Sequence, residues 1–237
     1  MDISVSYYSA IGTRDNNEDA VAIQECQNGL LALVADGLGG HARGEVASGI
    51  ATSVISQQLL NQSPNESDLI DAIQLSSNKI FEAQDGKGSM RTTIAAVWIG
   101  DYIGLAANVG DSRIYQFRDG EIVYQSVDHS VAQMAVLVGE ITQEDIRNNP
   151  DRNKLIRTLG NATAPKVDCE CISVQKGDRL LICSDGFWEP VNERAMKNTI
   201  VRTKSAKDWL EEMKQIIMNE QNSDQDNNSA IAIVINE

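Results

Sequence analysis

Residues 3 to 11, "ISVSYYSAI", alternate between apolar and polar positions. That period of two predicts a strand with one buried face. "AVAIQEC" (20–26) predicts a second strand. "LLALVA" (30–35) is apolar throughout, as a strand buried on both faces would be. The period then changes. In "GEVASGIATSVISQQLL", Val46, Ile50, Val54 and Ile55 recur at helical spacing. "SDLIDAIQLSSNKIFEAQ" repeats the pattern with Leu69, Ile70, Ile73, Ile80 and Phe81, and Ser67 or Asp68 is placed to cap it.

Strand patterns return in "TTIAAVWIG", "YIGLAANVG" and the pair "RIYQF" and "EIVYQ", whose link holds the turn signal Asp119-Gly120. Residues 130–163 read as short helices and loop, with Thr142 and Asp145 as a capping pair. They interrupt a run of strands and predict an inserted subdomain. "DRLLIC" is another buried strand. "SAKDWLEEMKQIIMNE" is an amphipathic helix capped by Ser205, with Trp209, Leu210, Met213, Ile216 and Ile217 inward, and "SAIAIVI" closes the pattern. Helices grouped between strand runs predict an α+β fold, with helices on the outer faces of antiparallel sheets. No internal repeat appears, so residues 1–237 are read as a single domain.

Charge narrows the partners. Acidic residues outnumber basic ones 34 to 20, for a formal net charge of −14. That argues against a basic nucleic-acid-binding face and suits divalent cations, which prefer carboxylates. No apolar run approaches the roughly 18 residues needed to span a bilayer. The first residues lack the basic and apolar regions of a signal peptide. A cytoplasmic protein is therefore expected, with Cys26, Cys169, Cys171 and Cys183 as buried, reduced thiols. His41 and His129 are the only histidines, too few for a zinc site of the usual kind.

The chemistry lies in where the acids fall. Asp36-Gly37 follows the buried run 30–35, and Asp185-Gly186 follows the buried run 179–183. Asp226 precedes the last strand, Glu18 and Asp19 start the second, and Asp111 sits between two strands. Asp36, Asp111, Asp185 and Asp226 stand some 40 to 75 residues apart along the chain. An isolated Asp-Gly is usually a turn. Several acids at strand margins can instead meet at one edge of a sheet stack. Their repulsion would raise their pKa values unless a cation lay between them. Ligation by oxygen alone points to Mg²⁺ or Mn²⁺, and Gly37 leaves its carbonyl approachable.

"GTRDNNEDA", "VADGLGGHARGE", "ANVGDSRIY", "DHS", "RTLG", "LICSDGFWE" and "DNNSAIAIV" resemble, in order, the motifs of the metal-dependent serine/threonine protein phosphatases of type 2C, in their bacterial branch. The ordered set runs from residue 12 to residue 234. The resemblance implies a sandwich of two antiparallel sheets flanked by helices, with a dinuclear Mn²⁺ or Mg²⁺ centre at one end. It implies that Asp36 bridges the two metals and the Gly37 carbonyl binds one. Asp185 and Asp226 would complete the other. Glu18 would act through water, with Asp19 in or beside its shell. Asp111, with Asp185, matches the position of a third metal. Arg14 matches the arginine that binds substrate phosphate, and 130–163 the family's flap.

The implied substrates are phosphorylated proteins, the targets of a serine/threonine kinase, and the implied state is a monomer. His41 is a candidate proton donor to the leaving group, and His129 reads as structural. Some family members carry a histidine where this chain has Leu38, which leaves the general acid open. Arg91 replaces the glycine usual before the Thr pair, as a surface change or an added phosphate contact. Trp188 and Glu189 read as packing and surface. Cysteine-based phosphatase chemistry is excluded, since no Cys has Arg six positions on. The other class to weigh is a degenerate member that binds phosphoproteins without turnover.

Overall fold

The computed structural model describes residues 2–26, 28–38, 43–85, 90–219 and 224–236. The strands are β1 (Ile3–Ala10), β2 (Asp19–Cys26), β3 (Gly29–Leu38), β4 (Arg91–Thr92), β5 (Ile94–Ile99), β6 (Ile103–Val109), β7 (Arg113–Arg118), β8 (Glu121–Gln125), β9 (Asp168–Ser173), β10 (Arg179–Cys183) and β11 (Asn228–Ile235). The helices are α1 (Gly44–Gln58), α2 (Glu66–Glu82), α3 (Val131–Leu137), the single turn α4 (Asp185–Trp188), α5 (Glu193–Arg202) and α6 (Ala206–Asn219). One antiparallel sheet runs β1-β11-β10-β7-β8; the other runs β2-β3-β5-β6-β9, with β4 added to β3.

Three apolar layers hold four layers of structure together. Between the sheets, Ala32, Val34, Ala95 and Ala106 meet Ile114, Ile182, Ile231 and Ile233. Small residues on one sheet leave room for the isoleucines of the other, which is how a sandwich interior reaches close packing. Leu31, Leu33 and Ala35 bury the outer face of β3 under α1 and α2. Tyr115, Leu181 and Ala232 do the same under the helices on the far side, with Trp209 and Met213 of α6. Both faces of β3, β10 and β11 are thus covered, which explains their unbroken apolar runs. The α+β sandwich expected from the pattern is what the chain forms.

Several local expectations need correction. The inward face of helix α1 is only partly the expected one: Ile55 is buried and Ile50 packs on the core, but Ala47, Ser48, Ala51 and Thr52 fill the rest, while Val46 stands exposed. Small side chains let the helix lie close on β2 and β3, and the Ser48 hydroxyl donates to the Glu18 carbonyl at 2.6 Å. In α2 the cap is Asn65, whose side chain accepts from the Ser67 and Asp68 amides, while the Asp68 carboxylate accepts from the Asn65 amide. Phe81 is exposed. Helix α5, not anticipated from the sequence, buries Met196 and Thr199 fully. Of the four cysteines only Cys183 is buried, and Cys171 is exposed. The predicted Asp119-Gly120 hairpin forms, with both residues at positive φ (52° and 79°). Ser205 caps α6 through the Asp208 amide, as expected.

Two glycines of α1 should respond oppositely to alanine. A Cβ on Gly49 would meet nothing, so Gly49→Ala should stabilise by about 0.5–1 kcal/mol through helix propensity. A Cβ on Gly44 would strike the Glu18 carboxylate and the Gly37 carbonyl. Gly44→Ala should therefore cost about 1–3 kcal/mol. Thermal melts check both; equal shifts would refute the close packing of Gly44 on Gly37.

Candidate metal centre

Asp36 is not in a turn. Strand β3 continues through it but changes partner: Val34 pairs with Ala95 of β5, and Gly37 with Thr92 of β4. The Asp36 carbonyl accepts from the Thr92 hydroxyl and the Thr93 amide, each at 2.8 Å. The Asp36 amide donates to the Thr93 hydroxyl at 3.0 Å. The backbone is therefore pinned while the side chain follows the strand's alternation. Ala32 and Val34 face the other sheet, so Asp36 falls at the end of the inter-sheet layer. Asp19 of β2 is directly opposite it. Gly37 lies so close to Gly44 and Glu18 that a Cβ would strike their carbonyl oxygens, so its glycine is required by crowding.

The other acids arrive from the loops at the same end. Asp111 is buried in the β6–β7 turn, after Gly110 at φ +105°. Asp185 opens α4, and its carboxylate accepts from the Gly186 amide at 2.6 Å. Asp226 precedes β11 and accepts from Arg14 at 2.9 Å. A cleft of about 400 Å³ is lined by Glu18, Asp36, Gly37, Asp111, Asp185 and Asp226, with Arg14 at its margin. Asn153 and Leu155 enter it from the 130–163 segment. Asp19 stands behind this lining, held by the Ser184 hydroxyl at 2.8 Å. A larger cleft of about 850 Å³ opens at the Gly29 end of β3, without such a convergence.

Crowded burial raises Asp36, Asp111, Asp185, Asp19 and Glu18. For Asp36 the largest cause is burial, followed by the charges of Asp185, Asp19, Asp111 and Asp226. Asp111 is raised by burial, then by Asp185 and Asp128. Burial, then Glu189, Asp226 and Asp19, push Asp185 up to about 7. Burial pushes Asp19 up to about 6, against the hydrogen bonds of Ser229 and Ser184. Glu18 is raised mainly by burial. One Asp19 oxygen is buried with no hydrogen-bond partner. Among the described residues, no histidine or cysteine lines the cleft. An oxygen-only, strongly anionic wall with an unsatisfied carboxylate oxygen behind it fits hard divalent cations. Among the described residues no three such side chains are already gathered as a ready-made cage. The fit rests on the lining and its charge.

A family model for protein phosphatase 2C matches residues 8–227. The chain belongs to the protein phosphatase 2C family. A serine/threonine phosphatase of Listeria welshimeri is 34% identical over 202 residues, covering 81% of this chain and 80% of the relative. The Mycobacterium smegmatis phosphatase MsPP, solved in complex with cacodylate, superposes with a TM-score of 0.84 at 31% identity, over 98% of each chain. The catalytic domain of the phosphatase PstP, solved with two manganese ions, gives 0.81 at 26% identity over the whole of both chains. The reaction class of the family is hydrolysis of phosphoserine and phosphothreonine in proteins. Nothing in these comparisons favours a member that has lost turnover.

In this phosphatase 2C chain, Asp36, Gly37, Asp111, Asp185, Asp226, Glu18 and Arg14 line one cleft. His41 lies outside the described residues. His129 is buried and away from the lining; its Nδ1 accepts from the Gly110 amide and its Nε2 meets Asp168 at 3.0 Å. Arg91 is half-buried and bonded to Asn161, so it is not a plain surface residue. Glu189 pairs with Arg152 at 2.6 Å, joining α4 to the 130–163 segment.

Sequence reasoning missed Asn227. Its side-chain oxygen accepts from the Glu18 amide at 2.8 Å, and its nitrogen donates to the Ile11 and Asn16 carbonyls at 2.8 and 2.9 Å. It holds the whole Arg14–Glu18 loop against β11. In sequence it is one more polar residue in a polar loop, and only its position between Asp226 and a buried strand could have flagged it.

Asn227→Ala should strand these three backbone groups. A loss of about 2 kcal/mol follows, or a fall of roughly 4–8 °C in Tm. An unchanged melt would mean that the loop is held by other contacts.

Proposed function

We propose that this chain removes phosphate from phosphoserine and phosphothreonine in proteins at a dinuclear Mn²⁺ or Mg²⁺ centre in the cleft. Five carboxylates converging on one 400 Å³ space carry the reading. Asp36, the Gly37 carbonyl, Asp185 and Asp226 would hold the pair, with Asp36 shared between the two. Glu18 acts through water, with Asp19 behind it. Asp111, together with Asp185, takes an accessory cation. When bound, such cations lower the pKa of water to near neutrality and neutralise charge on phosphoryl oxygens.

The chain's own groups do the positioning. Arg14 is half-exposed at the cleft margin, held on one side by Asp226. Its planar fork is suited to two phosphate oxygens and fixes the ester's orientation. We assign to His41 the proton donated to the departing seryl or threonyl oxygen. The 130–163 segment, with Asn153 and Leu155 on the cleft wall, acts as a flap over the bound phosphopeptide. We place the enzyme in the cytoplasm as a monomer, acting on the products of a serine/threonine kinase. Among the described residues, no helix is long and apolar enough to cross a membrane.

Asp36→Asn should cut turnover of an aryl phosphate at saturating Mn²⁺ by more than about a thousandfold, since both core metals depend on that carboxylate. Chelator should do the same to the parent. Activity within tenfold of the parent would sink the dinuclear centre.

Arg14→Ala should raise KM for a phosphopeptide by about tenfold, with a smaller fall in kcat, and Arg14→Lys should recover only part. An unchanged kcat/KM would remove Arg14 from the phosphate site.

A further inference from the structure

Arg113 of β7 is almost fully buried, and so is Trp188 at the end of α4. The guanidinium lies 3.5 Å from the centroid of the indole ring. Asp128 accepts from Arg113 Nε and Nη2 at 2.9 and 2.7 Å, and the Tyr115 hydroxyl accepts from Nη1 at 3.0 Å. Arg113 is thus committed to its own partners and holds the ring flat. Trp188 Nε1 donates to the Asp111 carbonyl at 2.9 Å. The same residue ends the single helical turn that Asp185 begins. A second arginine, Arg147 of the 130–163 segment, lies 5.2 Å from the ring centroid. It donates to the Glu189 carbonyl at 2.9 Å and to the Glu193 carboxylate at 2.7 Å.

One side chain therefore touches the loop that carries Asp111, the helix that carries Asp185, and the segment over the cleft. Core packing alone accounts for the ring but not for the N–H. A phenylalanine would fill most of the same space and leave the Asp111 carbonyl without that donor. We infer that Trp188 is a positioning residue: it sets the spacing of Asp111 and Asp185 and ties that spacing to the docking of the 130–163 segment. This rests on the reading that Asp111 and Asp185 share an accessory cation. Under it, the cation and the segment favour one arrangement of the indole, so each strengthens the other's hold. Groups that orient ligands from behind are commonly worth 10–100-fold in affinity or activity.

Trp188→Phe keeps a ring against Arg113 and deletes the N–H. Calorimetric titration of the full chain with Mn²⁺ should show the tight phase unchanged and the weak phase about tenfold weaker. On a phosphopeptide, kcat should fall about tenfold with KM within about twofold. Arg147→Ala should weaken the same weak phase without touching either carboxylate. A second readout uses the parent chain labelled with 5-fluorotryptophan and titrated with Mg²⁺, which is diamagnetic. The chain has three tryptophans. The Trp188 resonance should move across the weak phase, while Trp209, bonded to Thr199 beneath α5, should not.

A flat response of the isotherm and kinetics to Asp111→Ala would overturn the accessory-cation reading, and this inference with it. Loss of the weak phase in Asp111→Ala but not in Trp188→Phe would overturn this inference alone. If Trp188→Phe does not fold, a Trp188 resonance that stays still across the weak phase of the parent would overturn it equally.

Discussion

Like charge in a confined space is the constraint on which this molecule is arranged. Five carboxylates line one cleft at the end of the sandwich, and a sixth, Asp19, stands directly across a strand pair from Asp36. Opposed acids on neighbouring strands disfavour pairing, and buried ones resist ionisation. The fold keeps them together with hydrogen bonds to their backbone and, for Asp19, to the carboxylate itself. Thr92 and Thr93 grip Asp36, Ser184 grips Asp19, and Asn227 grips the loop of Glu18. Each of these grips is neutral, so none cancels the charge that the cleft offers to a cation.

The layers around the site explain why such an arrangement persists. Each sheet is covered by helices on its outer side and by the other sheet within. Rigid strands deliver Asp36 and Asp19, and short turns or loops at strand margins deliver Asp111, Asp185 and Asp226. Apart from Arg14 at the margin, the neighbouring arginines stand behind the lining and are already paired. Arg113 is spent on Asp128 and Tyr115 beneath Trp188, and Arg147 and Arg152 are spent on Glu193 and Glu189. Positive charge thus holds the frame of the site and leaves the cleft itself acidic.

Much of this was legible from residues alone where burial is simple. The continuous apolar runs of β3 and β10 and the wide apolar face of α6 read correctly, because each is covered along its length. Asp36 was located by its run but misjudged as a strand end: nothing in "VADGLGG" says that β4 will replace β5 as the partner. Helix α1 was read only in part. Ile55 is buried and Ile50 packs on the core, but Val46 is exposed, and Ala47, Ser48 and Ala51 supply most of the inward face, because close approach to β2 and β3 suits small side chains. Residues that act through single hydrogen bonds, such as Asn65 and Asn227, leave no period to detect. The spacing of the acids suggested that they would meet and repel, but which groups press on which appears only when the distant turns are brought to one end.

The placement of β11 has a consequence for the chain's synthesis. The edge strand β1 pairs with β11 alone, and Asn227 supplies the bonds that close the loop of residues 11–18. Glu18 is 209 residues from the side chain that secures its amide. During synthesis β1 therefore stays unpaired, and the loop of Glu18 unsecured, until β11 has emerged. Contacts of such long sequence separation form late and slowly. A chain that stops before Asp226 has Asp36, Asp111 and Asp185 but neither Asp226 nor the side chain that secures Glu18, so the acidic cleft is complete only once β11 is in place.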